Sequence, residues 1–241
     1  MKKTAFLGAS VLALGSLGLS GVFMPANAFT FSGGSVTGIT ADDIGKYFDV
    51  NFDGNVSTNP VEGLTSTARF KLTEFNGLSA LFDVDLTNTS SAPIGSRVSV
   101  IGFDVTPDIS GATSVGDFNI TVLDSALPNQ FGNIGVCVKG GGGGANCQGG
   151  GGAGASTGES LGFNLALNWS NQLDSFDLSN FGVRYQSITG TTFGTSGTGR
   201  GTPQKPEEPP TQVPEPAATA ALSMFALAGL GLMKKKDKVS A

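Results

Sequence analysis

Long stretches of the chain alternate apolar and polar residues with a period of two. From Leu64 to Leu72 one set of positions reads Leu64, Ser66, Ala68, Phe70 and Leu72, while the intervening set reads Thr65, Thr67, Arg69 and Lys71. Successive side chains of a strand point to opposite faces, so this run predicts a strand with one buried and one wet face. After an Asn76-Gly77 turn, Leu78, Ala80, Phe82, Val84 and Leu86 alternate with Ser79, Leu81, Asp83, Asp85 and Thr87, so the two runs predict an antiparallel hairpin. Leu161, Phe163, Leu165, Leu167 and Trp169 repeat the pattern, as do Phe181, Val183 and Tyr185. Further candidate strands span Phe29–Ile39, Lys46–Asp53, Arg97–Val105, Phe118–Leu123 and Ile134–Val138. The expected fold is therefore all-β, a β-sandwich of about eight or nine antiparallel strands, with a β-barrel as the alternative and a hydrophobic targeting helix at either end.

The two chain ends break the alternation. Lys2 and Lys3 precede an apolar run from about Ala5 to Val22, which closes on Pro25 and the small-residue site Ala26-Asn27-Ala28. Positive flank, apolar centre and A-x-A site in that order predict a secretory signal peptide over residues 1–28, cut by signal peptidase to leave Phe29 first. At the other end Pro214-Glu215-Pro216 is followed by the apolar stretch Ala217–Met233 and then by Lys234, Lys235, Lys236 and Lys238. As a helix that stretch is about 26 Å long against a hydrocarbon core of about 30 Å, which suits a transient inner-membrane anchor held by a basic stop. Residues 197–213 carry no apolar side chain before Val213 and several prolines, so they are expected to be an extended linker between a secreted domain, 29–196, and the tail, 214–241.

The tail resembles the PEP-CTERM sorting signal of Gram-negative bacteria and cyanobacteria, with Pro-Glu-Pro, one short apolar helix and a basic cluster in order. That resemblance implies processing by an exosortase, a membrane transpeptidase, near Pro214, Glu215 and Pro216, and release or display of the domain at the cell surface. Within the domain, Gly63-Leu64, Leu86-Thr87-Asn88-Thr89, Ser96-Arg97-Val98-Ser99, Gly102-Phe103-Asp104, the two cysteines inside glycine runs, and Phe181-Gly182-Val183-Arg184-Tyr185-Gln186-Ser187-Ile188 are similar to the cistern family of cyanobacterial PEP-CTERM proteins. This second resemblance implies secretion and architecture and no particular activity.

Composition narrows the chemistry. None of the 241 residues is His, which removes imidazole-based triads, Cys-His dyads and His-ligated metal sites. Fifteen acidic against seven basic side chains between Phe29 and Arg200 make that segment markedly negative, and the whole chain carries −5 with a pI near 4.7, so nucleic acid is not an expected partner.

Individual motifs add little. Cys137 and Cys147 bracket Val138, Lys139 and five consecutive glycines, and in an exported chain a disulfide is the expected state of such a pair. Gly154-Ala155-Ser156-Thr157-Gly158 matches a nucleophile elbow by letter, but Ser156 has no imidazole to serve as base. Asp49, Asn51 and Asp53, followed by Gly54, match the first half of an EF-hand loop, yet position twelve is Pro60 and alternation reads the same residues as a strand with Val50 and Phe52 inward. Asp83 and Asp85 on one strand face, and the neighbours Asp42 and Asp43, are the available carboxylate pairs for a glycosidase. Trp169 is expected in the core and Arg184 paired with a surface acid. The reading that results is an exported, non-catalytic structural or adhesive surface protein without resident cofactor or metal. A calcium-assisted, lectin-like module contacting extracellular polysaccharide is the alternative, and a glycosidase the remotest.

Overall fold

The computed structural model describes residues 29–206 except 143, 150 and 151. The signal-peptide site Ala26 and Ala28, the sorting residues Pro214, Glu215 and Pro216, the basic stop Lys234, Lys235, Lys236 and Lys238, and both expected targeting helices lie outside the described residues.

The described body is all-β and antiparallel, and its only helical element is a single 3-10 turn at Ala41–Asp43. Its strands are β1 (Thr30–Ser32), β2 (Ser35–Ile39), β3 (Tyr47–Phe52), β4 (Asn55–Val56), β5 (Asn59–Pro60), β6 (Ser66–Phe75), β7 (Ser79–Thr87) and β8 (Gly95–Thr106), followed by β9 (Gly111–Gly116), β10 (Ile120–Leu127), β11 (Gly132–Lys139), β12 (Ala155–Ser156), β13 (Ser160–Asn168), β14 (Phe176–Thr189) and β15 (Ser196–Gln204). Ten of them form one hydrogen-bonded path, β10-β11-β8-β14-β15-β3-β6-β7-β13-β9. The two ends of that path come together where Thr121 Oγ1 of β10 donates to the Ala112 carbonyl of β9 at 2.8 Å, so the sheet is nearly closed into a barrel.

The expected hairpin is present. Phe70 pairs with Val84, Arg69 with Asp85 and Lys71 with Asp83, which leaves Ala68, Phe70, Leu72, Phe82, Val84 and Leu86 buried and the charges on the wet face. The Asn76 side chain closes the turn by accepting the Leu78 and Ser79 amides at 2.9 and 2.8 Å. Leu78, expected inward, stands 47% exposed because it belongs to this turn and not to β7. A layer of Phe rings joins the β3-β6-β7 half to the β8-β14 half: Phe70 is stacked on Phe48 at 5.2 Å and meets Phe103 and Phe181 edge-on at 5.6 and 5.9 Å. Such pairs contribute beyond the area they bury and fix how the facing halves interlock. Phe29 belongs to the same layer, buried and edge-on to Phe48 at 5.3 Å.

Two further expectations are corrected. Residues 197–204 are not linker: they lie in β15, which pairs with β14 on one side and β3 on the other and so joins the two halves. Alternation is invisible there because the contact positions are glycines. A Cβ on Gly199 would stand 2.0 Å from the Asp53 carbonyl oxygen, and one on Gly201 2.6 Å from Phe181 Cβ, so neighbouring groups fill the space a side chain would need. The strand count also exceeds eight or nine. Phe29–Ile39 is a hairpin bent at Gly33-Gly34, and β4, β5, β9 and β12 are short, exposed or glycine-bounded segments with no apolar stripe.

Candidate functional site

Cys137 of β11 and Cys147 are bonded, with Cα atoms 6.1 Å apart. The glycine-rich loop between them is held a second time by Lys139, which is fully buried and donates to the carbonyls of Gly144 and, at 3.0 Å, Asn146. Burying an ammonium group is tolerable only when its donors are satisfied, and a glycine-rich chain can turn its carbonyls toward one point. Arg97 holds the returning arm through the Ala153 carbonyl while also bonding Gln186 at 3.1 Å. Val100, Leu127, Phe131, Ile134 and the two cysteines form a small cluster separate from the main core, so the clasp has an apolar seat of its own.

Asp43, Asp49, Asp53 and Asp83 are each engaged by protein partners. Both Asp49 oxygens receive Arg69, Nε to Oδ1 at 2.8 Å and Nη2 to Oδ2 at 2.9 Å, and the Arg69 guanidinium also lies 4.2 Å over the Tyr47 ring. The Asp49 hydrogen bond, together with charge interactions, holds the Arg69 pKa above its ordinary value. Asp53 Oδ1 accepts the Arg200 amide at 2.6 Å. With Val50 and Phe52 buried between them, Asp49, Asn51 and Asp53 are spread along an extended segment as the strand reading requires. Asp83 accepts from Asn164 Nδ2, and Asp83 and Asp85 lie opposite Lys71 and Arg69 in the register. Asp43 is buried as a cap, accepting the Thr40 amide and hydroxyl and Lys46 Nζ, while Asp42 is exposed. Ser156 lies on β12 in a turn closed by Glu159, with no helix following it.

Trp169 is a core residue, its indole N–H donating to the Pro107 carbonyl at 2.9 Å and its ring 5.0 Å from Phe176. Arg184 departs from expectation. It is 9% exposed, donates through Nη1 to the Gly197 carbonyl at 3.2 Å, and makes no ion pair among the described residues. β14 is covered on both faces, so desolvation lowers the Arg184 pKa and no surface acid reaches it.

One concavity was not foreseen from the sequence. A groove of about 630 Å³ runs between the β4–β5 and β10–β11 hairpin tips. Thr58 and Pro60 come from the first tip, Asn129, Gln130 and Phe131 from the second, and Glu62, Leu64 and Arg200 complete the walls. Arg200 lies 4.5 Å over the Phe131 ring and donates to the Phe131 carbonyl at 3.3 Å, which fixes the plane of its guanidinium. No protein-family model matches the chain, and no curated protein matches it either.

Proposed function

We propose that this chain is an exported surface or extracellular-matrix protein, non-catalytic, with a structural or adhesive role, delivered by its signal peptide and sorted by an exosortase through Pro214-Glu215-Pro216. The observation that carries the reading is the Cys137–Cys147 bond, since disulfides persist in oxidising compartments and are rare in the cytosol. Phe29 adds to it: the first residue after the Ala26-Asn27-Ala28 site is a core side chain, so the body starts where the leader is expected to end. The facing halves and their aromatic layer support reading the body as sandwich-like, a unit for display.

Calcium has no part in the proposal, because Asp49 directs both oxygens at Arg69 and Asp53 holds the Arg200 amide. Glycoside hydrolysis has none either. Asp83 accepts from Asn164 Nδ2, and Asp83 and Asp85 lie opposite Lys71 and Arg69 on an open strand face, which the packing of the hairpin accounts for without a substrate. Expression in hosts with and without an exosortase tests the proposal. The body should leave the membrane fraction only when the exosortase is present, and equal distribution in both hosts would contradict the sorting step.

A further inference from the structure

The groove between the hairpin tips has the makings of a ligand site. Among the described residues, Ser57, Thr58, Asn129 and Gln130 are four of the seven non-glycine residues with left-handed backbone, φ running from 49° to 70°, and they occupy the two tips in consecutive pairs. Two-residue turns of this geometry are ordinarily made by Asn-Gly or Gly-Gly, because a Cβ is penalised there, most of all on a β-branched residue such as Thr58. Thr58 and Gln130 nevertheless stand in the groove lining. Strained positions that keep a side chain over a concavity are a feature of binding sites.

The lining chemistry defines the ligand. Pro60 is exposed and Val61 and Phe131 each keep an accessible edge, which together form an apolar base, while Glu62, Gln130 and Arg200 are exposed planar polar groups along it. A carboxylate, a carboxamide and a guanidinium can each meet two adjacent hydroxyls with paired hydrogen bonds, and an apolar base accepts the C–H face of a sugar ring. Asp53 and Glu62 outnumber Arg200 in the lining, and the body is itself negative, so a polyanion is disfavoured.

We infer that this groove binds a segment of neutral oligosaccharide, its rings lying on Pro60 and the accessible edges of Val61 and Phe131 and its hydroxyls held by Glu62, Gln130 and Arg200. This names what the adhesive role would hold, and rests on that reading only for the setting in which the ligand is met.

The test is titration calorimetry of the full chain with cellohexaose, maltohexaose, xylohexaose and hexagalacturonate. At least one neutral hexasaccharide should bind saturably and more tightly than hexagalacturonate. Glu62→Ala and Gln130→Gly should each weaken it tenfold or more, while Gln130→Gly leaves the melting temperature unchanged or raised, because glycine relieves the left-handed position. Absence of binding by all three neutral sugars, tighter binding of hexagalacturonate, or unaltered affinity in both variants would overturn the site. None of these results bears on where the protein is exported, which the exosortase comparison reads separately.

Discussion

The Tyr185 hydroxyl lies 2.9 Å from the Ser66 hydroxyl and donates to the Asp53 carbonyl at 3.0 Å. A phenol has one proton, so Ser66 is the donor in its bond to Tyr185. The link ties β14 to β6 through the core and explains a serine in an otherwise apolar inward set. Tyr185→Phe leaves the Ser66 hydroxyl and the Asp53 carbonyl without this partner and should cost about 1–3 kcal/mol in denaturant unfolding. Ser66→Ala should cost less in the Tyr185→Phe background than alone, and equal costs would mean that the two residues act independently.

The same tyrosine sets an alkaline limit. Burial, only partly offset by the Ser66 hydrogen bond, raises the Tyr185 pKa well above its ordinary value. The unfolded chain releases this proton near pH 10 while the native state keeps it, so the contribution is fully present below about pH 10 and is lost as pH climbs beyond it. Unfolding free energies measured from pH 8 to pH 11.5 should fall less steeply in Tyr185→Phe than in the native sequence, and parallel profiles would refute the assignment.

Removing the clasp should be costly. Reduction of Cys137–Cys147 releases a short, glycine-rich loop and should lower stability by roughly 3 kcal/mol through the unfolded state. Lys139→Met removes the second anchor of the same loop, so its cost should shrink once the disulfide is reduced. Strict additivity of the two changes would show that they hold different parts of the fold.

β15 offers a sharp contrast between strand and spacer. Gly199→Ala places a methyl group against the Asp53 carbonyl and should destabilise the body by at least about 1–3 kcal/mol, measurable as a fall in thermal midpoint. In a solvated linker the same change would be nearly silent.

These cases show where the sequence was legible. Strands β6, β7, β13 and β14 bury Phe, Leu and Val at alternate positions, and a period of two announces them. β15 supplies room instead of bulk, and its fit depends on Asp53, Phe181 and Tyr185, far away in the chain, so no local pattern could reveal it. The place of Arg184 is hidden for a related reason: alternation assigns a wet face, while β14 has cover on both. The disulfide was legible because only two cysteines exist. The groove was not, since Thr58, Gln130 and Arg200 meet only through tertiary structure, although the Ser57-Thr58 and Asn129-Gln130 tips carry a trace of it as turns without glycine.

Terminal mapping by mass spectrometry of protein recovered outside the cell tests the export account most directly. Peptides should begin at Phe29 and end before the Ala217–Met233 stretch, with Cys137 and Cys147 recovered as a linked pair. Protein found only in the cytosol, starting at Met1, ending at Ala241 and carrying two free thiols, would contradict it.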